Sequence, residues 1–181
     1  IESIGKTAKG SGPVKGPGIS VKLSAIHPRF EFSQRSRVMS ELVPRLKILA
    51  LRAKAYDIGF TVDAEEADRL DLSLDVIAAV FSDSDLAGWQ GYGLAIQAYQ
   101  KRAVLVVEWA RELAQVVGRK MMVRLVKGAY WDSEIKWSQT DGFNDYPVFT
   151  SKAATDVSYI ACAKYLLANR DMLFPQFATH N

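Results

Sequence analysis

The chain has 181 residues, of which 49% are hydrophobic and 24% are charged, and its formal net charge is +3 at pH 7. This length and composition suit one globular domain with a substantial core and argue against intrinsic disorder. The longest apolar runs fall far short of the roughly 20 residues that cross a bilayer, and the basic residues are dispersed among acidic ones, which gives little support to nucleic-acid binding.

The start of the chain is rich in Gly, Lys and Ser, and we predict a loop or linker over residues 1–17. Gly5, Lys6 and Thr7 resemble the end of a phosphate-binding loop, but the earlier glycine of that motif would precede residue 1. The chain does not begin with Met and has no signal-like stretch. We therefore expect a portion of a longer protein whose folded part here runs from residue 18 to residue 181.

Short runs of strand-forming residues recur along the chain, at 18–26, 58–64, 92–99, 120–127 and 174–181. Longer segments with helical periodicity lie between them. Strand, helix and strand in alternation predict βαβ units and hence a parallel sheet.

Two of the intervening segments have the clearest helical pattern. In residues 33–57 apolar side chains recur every three or four positions, and Pro44 predicts a kink or a second helix start. Residues 103–120 repeat the pattern, with Gly118 as a C-terminal stop. A later segment, VSYIACAKYLL, contains the single cysteine, Cys162, which is expected to be a small buried hydrophobe in a reducing compartment.

Side chains alternate across each predicted strand, and in every case one face is apolar while the other is small or polar. An ordinary (β/α) barrel fills its interior with Val, Ile and Leu. Here the interior face is predicted to carry polar residues near the carboxyl ends of the strands, where parallel barrels build active sites. These residues are Lys22, Asp63, Gln97, Arg124 and His180.

Each of these side chains taken alone fits a structural role, such as a buried ion pair or a satisfied core amide. Five of them on one face would make a costly core without a ligand. Because Lys22 and Arg124 face only Asp63, we expect the interior to favour an anion, a carboxylate or a cofactor that becomes negative on reduction. No cluster of metal ligands and no nucleophilic triad is recognisable in the sequence.

The segments that follow the last two predicted strands add a second group of candidates. Gly128 permits a close backbone approach, while Tyr130 and Trp131 offer flat faces to a planar ring. Residues 150–152 place two hydroxyls and a lysine at a helix start, which suits a pyrophosphate, although an ordinary Ser or Thr cap is the simpler interpretation. Lys127 alternates away from the interior, so we expect it to be solvated or to face a helix.

Six blocks of sequence together resemble the proline dehydrogenase domain of the bacterial proline utilization A family. In chain order they are GISVKLSAIHPRF, DAEEADRLDLSLD, GYGLAIQAYQKR, RLVKGAYWDSEIKWSQ, YPVFTSKAATDVSYIACAKYLL and PQFATHN. They extend over about residues 18–181, and blocks of this length are more specific than a short glycine motif.

This resemblance implies an α/β fold, a (β/α)8 TIM-like barrel of which only about the first five strands are present. It implies that FAD is bound and that L-proline is oxidised to pyrroline-5-carboxylate by hydride transfer to flavin N5, with electrons then passed to a membrane quinone. It further implies a cytoplasmic protein that associates peripherally with the membrane when reduced. The rest of the barrel, and in some family members an aldehyde dehydrogenase domain, would lie elsewhere in the parent chain, so the fragment alone is expected to be inactive.

The resemblance also assigns roles to individual residues. Arg124 is similar to the arginine beside flavin N5, and Gln97 to the glutamine at the pyrimidine end of the ring. Lys22 is similar to the lysine that pairs with the substrate carboxylate, Asp63 to its acidic neighbour, and Tyr130 to a tyrosine of the substrate pocket. The remaining positions that resemble FAD contacts are Val126, Gly128, Trp131, Thr150, Lys152, Thr155 and His180.

Two alternatives remain open at the level of sequence. One is a ligand-binding barrel without catalytic turnover. The other is a flavin-independent barrel enzyme that acts on a small anionic substrate. Both alternatives are compatible with the polar interior face. They differ from the proline dehydrogenase hypothesis because neither requires a bound flavin.

Overall fold

The computed structural model describes residues 1–179 and contains one parallel sheet in the order β1-β2-β3-β4-β5. Strand order that follows sequence order without a reversal is the arrangement of a (β/α) barrel and differs from a doubly wound sheet. The strands are β1 (Gly18–Val21), β2 (Gly59–Val62), β3 (Tyr92–Gln97), β4 (Met121–Val126) and β5 (Leu173–Phe177).

The helices either precede β1, as the first two do, or connect one strand to the next. They are α1 (Glu2–Ala8), α2 (Gly12–Lys15), α3 (Leu23–Ile26), α4 (Arg35–Ala55), α5 (Leu70–Phe81), α6 (Ala103–Val117), α7 (Trp131–Thr140) and α8 (Lys152–Ala168). Short 3-10 helices occupy Phe32–Gln34, Ala67–Arg69 and Ser84–Leu86. Within residues 1–179, no helix is long and apolar enough to span a membrane.

The core lies between the sheet and the helices, as the alternation in the strands predicts. The side chains of Phe60, Leu94 and Leu125 are buried on the helix-facing side. On α4 the periodic apolar residues Val38, Leu42, Leu46 and Ala53 are fully buried. Burial of one face of each element removes apolar surface from water and supplies the main driving force for folding.

The ends of the predicted elements agree in part with the structure. Gly118 ends α6 in the left-handed conformation, as predicted. The helix over residues 35–55 continues through Pro44, so the predicted second start does not occur. The first strand ends at Val21, and residues 23–26 form α3 instead of continuing the strand to residue 26. The backbone turns there because Ser24 N donates to the Glu65 carboxylate and the Leu23 side chain enters the core.

The prediction of a loop over residues 1–17 is wrong for most of that segment. It forms α1 and α2 instead, and Gly5 and Ala8 are buried. Gly5 lies so close to the Tyr56 ring that a β-carbon would collide with it. Glycine and alanine act here as small packing residues at a helix contact, a role that composition cannot distinguish from that of a linker.

Candidate active site at the carboxyl ends of the strands

Register places the predicted polar residues on one side of the sheet. Arg124 on β4 lies beside Ala95 on β3 and Gln176 on β5. Residues in register point to the same side, and Lys22 and Asp63 directly follow β1 and β2. The sequence-predicted interior face is therefore formed by neighbouring strands.

Arg124 extends from β4 across the sheet toward the first two strands. Its Nη1 donates to Ser20 Oγ at 2.9 Å and to Asp63 Oδ1 at 3.1 Å. Small Ala95 lies in register beside Arg124 on the intervening strand. The guanidinium is only half-buried, and its Nε and Nη2 donate to no residue within 1–179. Free donors on a positioned cation suit an electron-rich ligand.

Lys22 and Tyr130, which are both predicted to contact a substrate, lie near each other in the structure. The Lys22 ammonium lies 5.6 Å from the centroid of the Tyr130 ring. The pKa of Lys22 is raised, chiefly by the Tyr130 side chain and then by the carboxylates of Glu65 and Asp63. Lys22 therefore stays cationic throughout the physiological pH range.

Glu65 is a second buried carboxylate that the sequence-based charge count omits. It accepts hydrogen bonds from Ser24 N at 3.0 Å and from Arg69 Nη1 at 3.1 Å. Arg69 Nη1 also lies 3.1 Å from Glu66 Oε2, so one guanidinium is shared by two carboxylates. The predicted excess of positive charge from Lys22 and Arg124 over Asp63 is therefore offset by Glu65 and Glu66 in the loop after β2.

Gln97 is 4% exposed, and both ends of its amide are engaged. Its Nε2 donates to the carbonyl oxygen of Glu65 at 2.8 Å, and its Oε1 accepts from Ala129 N at 3.0 Å. Gln97 thus connects the loop after β2 with the loop after β4. Val126, its neighbour in register on β4, is half-buried on the same face.

The loop after β4 depends on Gly128, as the sequence predicts. Gly128 has φ 147°, and a β-carbon there would collide with the Tyr99 ring. Trp131 follows with a largely exposed ring whose Nε1 donates to the carbonyl oxygen of Phe149 at 2.9 Å. The predicted close approach of the backbone at Gly128 to another group is confirmed, and within the chain that group is the Tyr99 ring.

A cleft of about 390 Å³ lies beside this loop and reaches the start of α8. Ser151 is at the N-cap position of α8, as the simple cap interpretation predicts, but its side chain makes no capping hydrogen bond. The first backbone N–H groups of a helix lack partners within the helix. The lining residues include Gly128, Trp131, Thr150, Lys152 and the buried Thr155.

Lys127 faces α8, which confirms the helix-facing expectation. Its Nζ lies 2.7 Å from Asp156 Oδ1, and Lys152 Nζ lies 3.2 Å from the other oxygen of Asp156. These two lysines, Lys127 first, hold the pKa of Asp156 below its usual range. His180, the fifth residue of the predicted face, lies outside the described residues.

Besides Glu65, two further buried residues of this region are not predicted from the sequence. Tyr99 is 3% exposed and contacts the loop after β4. Glu134 is buried on α7, where its carboxylate accepts from Ala67 N at 2.7 Å. Each lies beyond the polar face that strand alternation identifies, and the acidic first turn of α7 is the only local signal for Glu134.

A family model described as proline dehydrogenase matches residues 1–181. The chain belongs to the proline dehydrogenase family. It is 58% identical over 181 residues to the bifunctional protein PutA of Escherichia coli (strain K12), a match that covers 100% of this chain and 14% of that protein. The chain thus spans about one seventh of the length of this curated relative, at 14%.

Solved structures of the family are similar to the whole chain. A crystal structure of proline utilization A from Bradyrhizobium japonicum has a TM-score of 0.98 and 64% identity, covering 99% of this chain and 18% of that chain. Proline utilization A from Bdellovibrio bacteriovorus has a TM-score of 0.86 and 33% identity, covering 90% of this chain and 17% of that chain. The TIM-barrel-like fold class and the resemblance to proline utilization A are both confirmed.

Proposed function

We propose that the protein oxidises L-proline to pyrroline-5-carboxylate with FAD as the cofactor and passes the electrons to a membrane quinone. The observation that carries this proposal is the cross-strand contact of Arg124 with Asp63 and Ser20, beside Lys22, in a chain of the proline dehydrogenase family. We further propose that the protein acts in the cytoplasm and associates peripherally with the membrane when reduced.

The residues present fit an FAD molecule. The cleft beside the Gly128 loop is lined by Trp131, Thr150 and Lys152, and it ends at a helix start without a side-chain cap. An N-terminus without a side-chain cap, together with a lysine, suits a pyrophosphate. We assign cofactor binding to Gln97, Arg124, Val126, Gly128, Trp131, Thr150, Lys152, Thr155 and His180.

Substrate binding is assigned to Lys22, Asp63 and Tyr130. The Lys22 ammonium would pair with the proline carboxylate, and the neighbouring Lys22 and Arg124 cations would disfavour a protonated amine on the bound substrate. The chemistry that bound FAD supplies is acceptance of a hydride at N5 from the carbon beside the proline nitrogen. Arg124 has guanidinium N–H groups that do not donate to the described residues, and these donors would stabilise negative charge on a bound flavin without reorganisation.

The remaining part of the barrel is proposed to cover the free edge at β5. A parallel sheet of five strands leaves an edge with unpaired backbone groups. The apolar side chains exposed on α8 and β5 suit a covering helix and strand, and they are Val157, Ile160, Leu167 and Phe177. We propose that the parent chain supplies these elements, together with an aldehyde dehydrogenase domain.

The visible spectrum of the full-length protein tests this function. We expect a flavin absorption band that bleaches when proline is added, and reduction of an artificial electron acceptor that depends on proline. A colourless protein that still binds proline would support the ligand-binding barrel instead. A colourless protein that turns over another small anion would support the flavin-independent enzyme.

A further inference from the structure

Tyr99 connects three segments around the candidate site through its backbone and ring. It lies two residues past the end of β3, and its N–H donates to the carbonyl oxygen of Lys127 at 2.7 Å. Its own carbonyl oxygen accepts from Phe149 N at 2.8 Å. The ring fills the space that a side chain at Gly128 would occupy. Tyr99 therefore fixes both sides of the cleft.

The hydroxyl of Tyr99 makes a further contact with the same loop. Tyr130 N donates to Tyr99 Oη at 3.2 Å, while the Tyr130 carbonyl oxygen accepts from Glu134 N at 2.9 Å. The backbone of Tyr130 is therefore held at its donor and at its acceptor. Burial, with the Glu134 charge as the next cause, raises the pKa of Tyr99, so this hydroxyl stays neutral.

The position of Tyr130 matters because of what its side chain contacts. Its ring centroid lies 5.6 Å from the Lys22 ammonium, and hydrogen bonding to the Tyr130 side chain is the chief cause of the raised pKa of Lys22. A displacement of the Tyr130 backbone would change this pair directly. Tyr99 itself is 3% exposed and makes no contact with Lys22 in the structure.

We propose that Tyr99 is a positioning residue: its buried hydroxyl fixes the Tyr130 backbone and thereby places the Tyr130 side chain beside Lys22 for substrate binding. This inference rests on the proposed oxidation of proline. It assigns to Tyr99 a role in substrate affinity, which is distinct from the packing of a buried tyrosine in the core.

The chain offers a matched control in Tyr92. Tyr92 is also a buried tyrosine of the β3 segment, but its hydroxyl has no hydrogen-bond partner within residues 1–179. Tyr99→Phe and Tyr92→Phe each remove one buried hydroxyl and keep the ring. Both variants are made in the full-length flavin-loaded protein, and proline kinetics and amide hydrogen exchange of the peptide that contains Tyr130 are measured.

We expect Tyr99→Phe to raise KM for proline about 5-fold, the effect of one neutral hydrogen bond, with kcat changed by less than about twofold. Exchange at the Tyr130 amide should accelerate in this variant and stay unchanged in Tyr92→Phe. Equal KM values and equal exchange in the two variants would overturn the proposal. A wild-type protein that does not oxidise proline would refute the proposed function, while the exchange comparison would still decide whether the hydroxyl fixes the Tyr130 backbone.

Discussion

Two buried tyrosines mark the opposite ends of β3, and they have different surroundings. Tyr92 begins the strand inside an aromatic cluster, with ring centroids 5.9 Å from Phe60 and 5.8 Å from Phe81. Tyr99 lies just past the other end, and its hydroxyl accepts a hydrogen bond from the loop after β4. The strand thus begins in a packed core and ends in a hydrogen-bonded network.

The contrast extends to the polar atoms around each tyrosine. At the amino end, Trp89 Nε1, Tyr92 Oη and Arg119 Nε are buried without a hydrogen bond to any residue in 1–179. Unpaired buried groups carry a free-energy cost, which aromatic packing offsets there. At the carboxyl end, the side chains of Gln97 and Tyr99 hydrogen-bond to loop backbone. Near Tyr99, Glu66 Oε2 is a buried oxygen that has no hydrogen bond within residues 1–179 apart from its ion pair with Arg69. The amino end therefore serves stability, and the carboxyl end positions side chains for chemistry.

Removal of an aromatic side chain from the amino end should have the largest effect on stability. Phe81 packs against Tyr92, and the Arg119 guanidinium lies 4.4 Å from its ring centroid. We expect Phe81→Ala to lower the free energy of unfolding by about 3–5 kcal/mol, as measured by denaturant titration of the full-length protein. The exposed Phe32→Ala is the control and should change it by less than about 0.5 kcal/mol. A rise in KM for proline without loss of stability would contradict the division between the two ends.

Replacement of the interior arginine should have the largest effect on activity. Arg124→Met removes the contacts with Ser20 and Asp63 together with the free donors. We expect turnover of proline to fall roughly 10²–10³-fold and the reduction potential of the flavin to change. Arg102→Met is the control, because Arg102 forms an exposed pair with Asp71 between the starts of α6 and α5 at 2.9 Å. Similar losses in the two variants would refute a role for Arg124 in the site.

An added methyl group at Gly128 should disturb the carboxyl end alone. Gly128→Ala combines an unfavourable φ with a collision against the Tyr99 ring. We expect a loss of roughly 1–3 kcal/mol in stability and weaker flavin retention, measured by gel filtration and absorbance. Gly118→Ala controls for the backbone, since Gly118 has φ 68° and open space around it. If Gly118→Ala released as much flavin, close packing at Gly128 would not be the cause.

The smallest expected effect is a change in stability that is caused by the charge on Glu134. The sign of this change, rather than its size, identifies the cause. Burial is the main cause that raises the pKa of Glu134 above its usual 4.5, and nearby Asp68 and Glu66 add to it. The ionised form therefore destabilises the fold, and this penalty disappears as the pH falls through the folded pKa toward 4.5. Glu134→Gln should be more stable than the wild type at pH 7 and equal to it at about pH 4.5.

Glu41 provides the opposite case for the same pH series. Arg37 is the chief cause of a lowered pKa at Glu41, so its charge stabilises the fold above the usual value of 4.5. Glu41→Gln should therefore be less stable than the wild type at neutral pH, and the difference should disappear as the pH falls through the folded pKa. The measurement is the midpoint of thermal denaturation from about pH 2 to pH 8, because the lowered pKa of Glu41 lies below its usual value of 4.5. The same sign for both variants would contradict the assignment for Glu134.

Local sequence was sufficient to predict the strands and helices and to identify the face of the sheet that carries the polar residues. Period-two alternation placed Asp63 and Arg124 on one side of the sheet, and their side chains meet at 3.1 Å. It was insufficient for the ends of the elements, because a strand can stop within an alternating run, as β1 does at Val21. It was also insufficient at Gly5, where a small residue packs against Tyr56 within a segment of linker-like composition.

The sequence by itself determined the parallel α/β architecture, the buried stripe of α4 and the polar interior face, because each depends on a periodicity of two or 3.6 residues within one segment. Only the tertiary structure decided that Glu65 joins the charge balance, that Gln97 connects two loops and that Tyr99 supports Tyr130. The contacts of Gln97 and Tyr99 join residues about 30 positions apart in the chain. The contribution of Glu65 to the charge balance depends on its pairing with Arg69 in the folded chain. No local pattern encodes them, since the chain must fold before the partners meet.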